Sequence, residues 1–157
     1  MREKGFNIVE LMVVLLIVGI VGVFAFPAMT SMLATQAVRS AAYDLLADLT
    51  YARSEAIGRG TDVIVSGNSG TDWKLGWTIR ETAGGTVLRV QEARTSGAIT
   101  LTGGLQAITF DRTGRSNAGV LGWFSVVPTA ASAQVWQKRC VRLDPSGRVR
   151  SAEGACA

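Results

Sequence analysis

The sequence predicts an α+β fold, with one long N-terminal helix and an antiparallel β-sheet packed on the helix's second half. Three observations predict it. The chain opens with an uncharged apolar run from Leu11 to Met29, and an apolar stripe of helical spacing follows from Val38 to Ala56. Beyond Gly60 the pattern drops to a period of two. The 157 residues suffice for one domain with a core. No internal repeat or long linker marks a second.

The apolar run holds nineteen residues, which span ~28 Å as a helix, close to the hydrocarbon thickness of a bilayer. It accounts for much of a composition that is 48% hydrophobic and only 18% charged. An ordinary secretory signal is cleaved after its hydrophobic region, and Ala25 to Ala28 resemble such a site only weakly. Two features point elsewhere. The short basic leader ends in Gly5, directly before the apolar helix, and Glu10 lies just inside that helix. An unpaired carboxylate in lipid is costly and marks a functional residue with a partner. Pro27 removes a backbone donor and predicts a kink as the helix leaves the membrane.

The helical pattern then resumes. Val38, Ala42, Leu45, Leu49, Ala52 and Ala56 form one stripe, and Arg39, Asp44, Arg53 and Glu55 fall off it. Glu55 and Arg59 are spaced for an ion pair, and Gly58 and Gly60 mark the helix end. In the period-two region, Trp73, Leu75, Trp77 and Ile79 alternate with polar residues and predict a half-buried strand. Further strands are expected over 61–66, 86–92, 99–101, 107–111 and 123–127, separated by Gly-rich turns. A last pair, 135–143 and 148–150, would flank the turn Asp144-Pro145-Ser146-Gly147.

The chemistry is restricted. The chain has no histidine, which removes the usual neutral-pH proton shuttle and the commonest metal ligand. No Gly-rich phosphate loop joins a strand to a helix. Asp62, Asp72 and Asp111 lack the spacing of a calcium loop. No catalytic constellation and no cofactor are expected. The two cysteines, Cys140 and Cys156, lie close together near the chain end and read as a structural disulfide rather than unrelated thiols. A loop of that size stabilises by ~3 kcal/mol in the chain-entropy model.

Charge is local. The intact chain is +4, and residues 1–5 carry a net +1. Residues 134–157 carry +3, from Lys138, Arg139, Arg142, Arg148 and Arg150 against Asp144 and Glu153, so the rest of the chain is neutral. Arg148 and Arg150 flank Val149 and would share one face of a strand. Arginines without neighbouring aromatics suit phosphate contacts rather than base stacking. A solvated basic turn, or pairing with acidic groups of an adjacent subunit, is the plainer reading of the same residues.

The run Gly5-Phe6-Asn7-Ile8-Val9-Glu10-Leu11-Met12-Val13-Val14 resembles the prepilin motif of type IV pilins and type II secretion pseudopilins. The resemblance implies cleavage after Gly5 by a prepilin peptidase and N-methylation of Phe6. It also implies pairing of Glu10 with the N-terminal amine of a neighbouring subunit, where a buried charge is tolerable because it is paired. Asn7 departs from the usual threonine or serine. The implied organisation is a leader over 1–5, a transmembrane and filament-core helix over 6–29, and a pilin domain over 30–157.

Further along, Asp48-Leu49, Ala52-Arg53-Ser54-Glu55-Ala56-Ile57, Trp73, Gly76-Trp77, Ile108-Thr109-Phe110, Gly114 and Gly147-Arg148 resemble the GspH/FimT family of minor pilins and pseudopilins across nearly the whole chain. Gly147-Arg148-Val149-Arg150 resembles the C-terminal Gly-Arg-x-Arg motif of FimT-type members, which bind DNA during natural transformation. That resemblance implies an inner-membrane subunit with a periplasmic domain, later displayed on a pilus. Its implied partners are other major and minor pilin subunits, the peptidase and DNA. Arg148 and Arg150 would carry the DNA contact with help from Arg142, and Gly114-Arg115 is a lesser candidate for the same surface. The alternative is a type II secretion pseudopilin that binds no DNA.

Overall fold

Asn7 starts the helix. Its side-chain oxygen accepts from the Val9 N–H at 3.4 Å, and its carbonyl accepts from the Leu11 N–H at 3.1 Å. This is the N-cap role that Ser and Thr also fill, so the departure at position 7 keeps the local chemistry. The computed structural model describes residues 7–82, 85–93, 99–117, 122–129 and 133–156, excepting the side chains of 24–28 and 99. Gly5 and Phe6 lie outside the described residues.

Helix α1 runs unbroken over Ile8–Arg59, 52 residues, and continues through Pro27. The chain divides into two units, residues 1–33 and 34–157. In the first, the large apolar side chains from Ile8 to Val23 are exposed, and Glu10 stands in the first turn. A carboxylate is favoured there by the free N–H groups and the positive end of the helix dipole. Among the described residues no helix is long and apolar enough to cross a membrane. The run from Leu11 to Met29 includes residues 24–28, whose side chains are not described, so the expected span rests on the sequence alone.

The second unit holds the core. Every residue of the predicted stripe is buried, and Ala41 joins it. Small residues in the last turns, Ala52 and Ala56, let the strands approach closely. Gly60 then ends the helix at φ +65°, a conformation that costs glycine little. Arg59 pairs with Glu55 as expected and also with Glu81 at 2.9 Å. These hydrogen bonds, Glu55 first, raise the guanidinium above its ordinary range.

The strands are β1 Val63–Gly67, β2 Trp77–Glu81, β3 Val87–Gln91, β4 Ile99–Gly103, β5 Ala107–Phe110, β6 Gly122–Pro128, β7 Arg139–Leu143 and β8 Val149–Glu153. They form two four-stranded antiparallel sheets, ordered β3-β2-β1-β5 and β4-β6-β7-β8, where the sequence suggested one. Both contribute to one buried cluster with the helix stripe. Trp73 joins them. Its indole N–H donates to the Leu105 carbonyl at 2.9 Å, its ring meets Phe124 edge-on at 4.8 Å, and Trp77 lies 6.1 Å away. Gly103 leaves it room, since a Cβ there would come within 2.5 Å of the indole nitrogen.

Two strand expectations change. Trp73–Leu75 is a 3-10 turn capped by Asp72, not the start of β2. Gly76 follows at φ +90° and resets the alternation, so Leu75 faces solvent while Trp73 and Trp77 are both buried. Likewise Val135–Gln137 forms a 3-10 turn, and β7 begins only at Arg139. The Gln137 amide of that turn donates to the Thr35 hydroxyl at 3.2 Å, which fastens the segment to α1.

Candidate nucleic-acid interface

The basic C-terminal segment is a hairpin, β7 and β8, at the edge of the second sheet. Its turn is closed by the Gly147 N–H to the Asp144 carbonyl, 2.8 Å, and by the Asp144 N–H to the Arg148 carbonyl, 3.0 Å. Gly147 sits at φ +77°, and a Cβ on it would lie 1.9 Å from the Gly114 carbonyl oxygen. Any side chain there would meet both backbone strain and this close approach. Gly114, at φ +79°, belongs to a second turn after β5. The two turns abut: Arg53 Nε donates to the Gly114 carbonyl at 3.0 Å, and the Ser116 N–H and hydroxyl donate to the Pro145 and Asp144 carbonyls. Gly114-Arg115 therefore lies beside Gly147-Arg148.

Residues of β6 and β7 alternate between two faces. Phe124, Val126, Val141 and Leu143 point into the core, while Trp123 and Arg142 point out. The register Trp123↔Arg142↔Arg150 puts these three side chains in one row across the outer face. Arg148 and Arg150 are both exposed, and Val149 between them packs against the core. The Cys140–Cys156 disulfide joins β7 to the C-terminal tail with Cα atoms 5.1 Å apart, and it borders the same row, because Cys140 pairs with Ser125 and Ala152.

One sequence expectation needs correction, while the net charge stays as counted because Asp144 and Glu153 are already in it. Arg139 pairs with Glu153 at 2.8 Å and does not belong to the outer row, and Asp144 lies 3.9 Å from the Arg150 guanidinium. The arginines do have an aromatic neighbour, Trp123, which is 41% exposed. Its place in the row comes from strand register, which sequence pattern does not reveal across distant strands.

The second turn is fixed by Asp111. Its carboxylate accepts from the Thr113 hydroxyl at 2.6 Å, the Thr113 N–H at 2.8 Å and the Arg115 N–H at 3.0 Å. These bonds, Thr113 hydroxyl first, hold its carboxyl below the usual range. Asp62 accepts from the Arg112 N–H and Asp72 from the Lys74 N–H. All three carboxylates have backbone donors, and among the described residues no metal-binding group forms.

One constellation was not foreseen. Asp48, buried on α1, accepts from the Trp77 indole at 2.9 Å and from Arg89 at 2.7 Å. Arg89 also stands over the Tyr51 ring at 4.2 Å, and its bond to Asp48 raises its guanidinium above the ordinary range. The signal was a carboxylate at the edge of the apolar stripe, between Leu45 and Leu49.

A helix uncovered over its first half and flanked by antiparallel sheets over its second defines a pilin-like subunit. Solved structures that share this fold include those of two pilin-like subunits. The type IV minor pilin FimU of Pseudomonas aeruginosa is 23% identical with a TM-score of 0.63, covering 73% of this chain and 87% of FimU. The minor pseudopilin EpsH from the type 2 secretion system of Vibrio cholerae is 16% identical with a TM-score of 0.56, covering 74% and 96%. No curated protein matches the chain. The family model for type II transport protein GspH matches residues 41–147, and the chain belongs to the GspH family.

Proposed function

We propose that this chain is a minor pilin of a type IV pilus that helps initiate or cap assembly and contacts DNA through Arg148, Arg150 and Arg142. The observation that carries the DNA reading is the outer face of β7 and β8. Gly147 locks the turn, the disulfide staples the neighbouring strand, and the guanidiniums of Arg148 and Arg150 are left exposed. Exposed guanidiniums carried on a fixed turn suit phosphate oxygens, and so few contacts imply weak, salt-sensitive, sequence-independent binding. In this reading a peptidase cleaves after Gly5 and Phe6 is methylated. Residues 6–29 anchor the subunit in the inner membrane, and Glu10 pairs with a neighbour's terminal amine in the filament. The apolar run from Leu11 to Met29 supports the anchor.

The family match favours a second reading, a pseudopilin of type II secretion with no DNA partner. Gel retardation against salt separates the two. The full chain in non-ionic detergent should retard DNA at low salt, and Arg148→Gln/Arg150→Gln should weaken binding about tenfold or more and flatten the salt slope. No retardation at low salt would favour the secretion reading. Equal binding by the double variant would overturn the arginine assignment.

A further inference from the structure

Trp123 is the exposed aromatic that strand register aligns with arginines, although Tyr43 and Trp136 are also exposed. Trp73, Trp77 and Phe124 are fully buried, whereas Trp123 lies on the outside of a sheet, in register with Arg142 and, one strand further, Arg150. Gly104 sets its attitude. The Gly104 N–H donates to the Trp123 carbonyl at 2.7 Å, and a Cβ at Gly104 would come within 2.9 to 3.3 Å of three atoms of the indole. The indole therefore rests against bare backbone on one side, and 41% of the residue remains open to solvent. Its other cross-strand neighbour is a guanidinium, not an apolar side chain, so packing on Gly104 accounts for only one side of the ring.

The row therefore combines an aromatic with guanidinium groups about one strand spacing apart. Phosphates alone would need only the guanidiniums. An exposed indole adds something only where a base can leave its stack and lie on it, which a closed duplex does not offer. Arg142 is held by a contact within the chain, and the inference does not require it to be free. Arg150 is only loosely matched by Asp144 at 3.9 Å and remains more than half exposed.

We propose that this face prefers single-stranded DNA to duplex, with a base stacked on Trp123 and a flanking phosphate on Arg150. This rests on the DNA reading given above and specifies its ligand.

The test uses the full chain in non-ionic detergent at low salt, with fluorescence anisotropy of a labelled single strand and of the matching duplex. The single strand should bind more tightly. Trp123→Ala should lower its affinity about tenfold and change duplex affinity less than about twofold, while Trp123→Phe should retain most of the preference. Equal loss for both ligands, or no loss for the single strand, overturns the stacking role and leaves the arginine reading intact. No binding of either ligand by the unsubstituted protein overturns both.

A second measurement avoids the alanine variant. In a Trp136→Phe background, Trp123 is the exposed tryptophan, because Trp73 and Trp77 are buried. Single-stranded DNA should shield its fluorescence from acrylamide quenching, and duplex should not. Equal quenching with and without the single strand overturns the proposal.

Discussion

At Gly147 the backbone, not the side chain, is what matters. The left-handed φ costs a non-glycine residue about 1 to 2 kcal/mol, and a Cβ pressed against the Gly114 carbonyl adds overpacking of similar size. Gly147→Ala should therefore lower unfolding stability by about 2 to 4 kcal/mol, read from the urea midpoint. It should also loosen the arginine face without removing a charge. The first glycine of the Gly-Arg-x-Arg segment is thus a packing requirement, and only the arginines are available to a ligand. Asp111 gives the acid-side prediction. Its carboxyl is depressed in the folded state, so its contribution is complete above the unfolded value and is lost as pH falls through the folded one. Below the ordinary carboxylate range, the stability gap between wild type and Asp111→Asn should close. A pH series of thermal unfolding curves checks this, and a gap independent of pH would contradict it.

At the scale of elements, α1 and the first sheet are joined by more than apolar contact. Asp48 links the helix to β2 through Trp77 and to β3 through Arg89. Asp48→Ala leaves a buried indole N–H without its acceptor, a loss of about 1 to 3 kcal/mol. The half-exposed Arg89 can turn to water and should add little. The expected signature is a lowered melting temperature with altered near-ultraviolet circular dichroism from Trp77, and Asp48→Asn should recover part of it.

These elements differ in how far they can be read from sequence. The helix stripe was legible because a period of 3.6 residues repeats five times between Val38 and Ala56. The strand after Trp73 was misjudged because a period of two continues across Gly76, although the glycine's positive φ breaks the geometry. The division into two sheets was not legible, since it depends on which distant strands pair. Asp48 and Trp123 were missed for the same reason. Each owes its role to partners on strands far along the chain. The arginines and cysteines, by contrast, were legible because they lie within one short hairpin and its tail.

At the scale of the whole molecule, the two units present different surfaces. The second buries its apolar side chains around one core, and the first leaves Ile8 through Val23 exposed, with Glu10 among them. On the proposed reading, Glu10→Ala should leave folding of the second unit unchanged, because Glu10 makes no part of its core. Incorporation into filaments should fall at least tenfold, as expected when a buried partner charge is left uncompensated. Quantitative immunoblotting of sheared filaments against membranes measures this. Normal incorporation of Glu10→Ala would remove the pairing role.

The uncovered front half of α1 also determines which variable governs association. Burial of apolar surface is worth about 25 cal/mol per Å², so covering these exposed side chains is strongly favoured over leaving them in water. On the proposed reading the segment moves from one apolar host straight to another, from lipid to the flanks of neighbouring helices. On that reading the quantity that sets its rate of encounter is copies per unit area of membrane. Molarity in the surrounding fluid enters only for the folded second unit, and for whatever that unit captures.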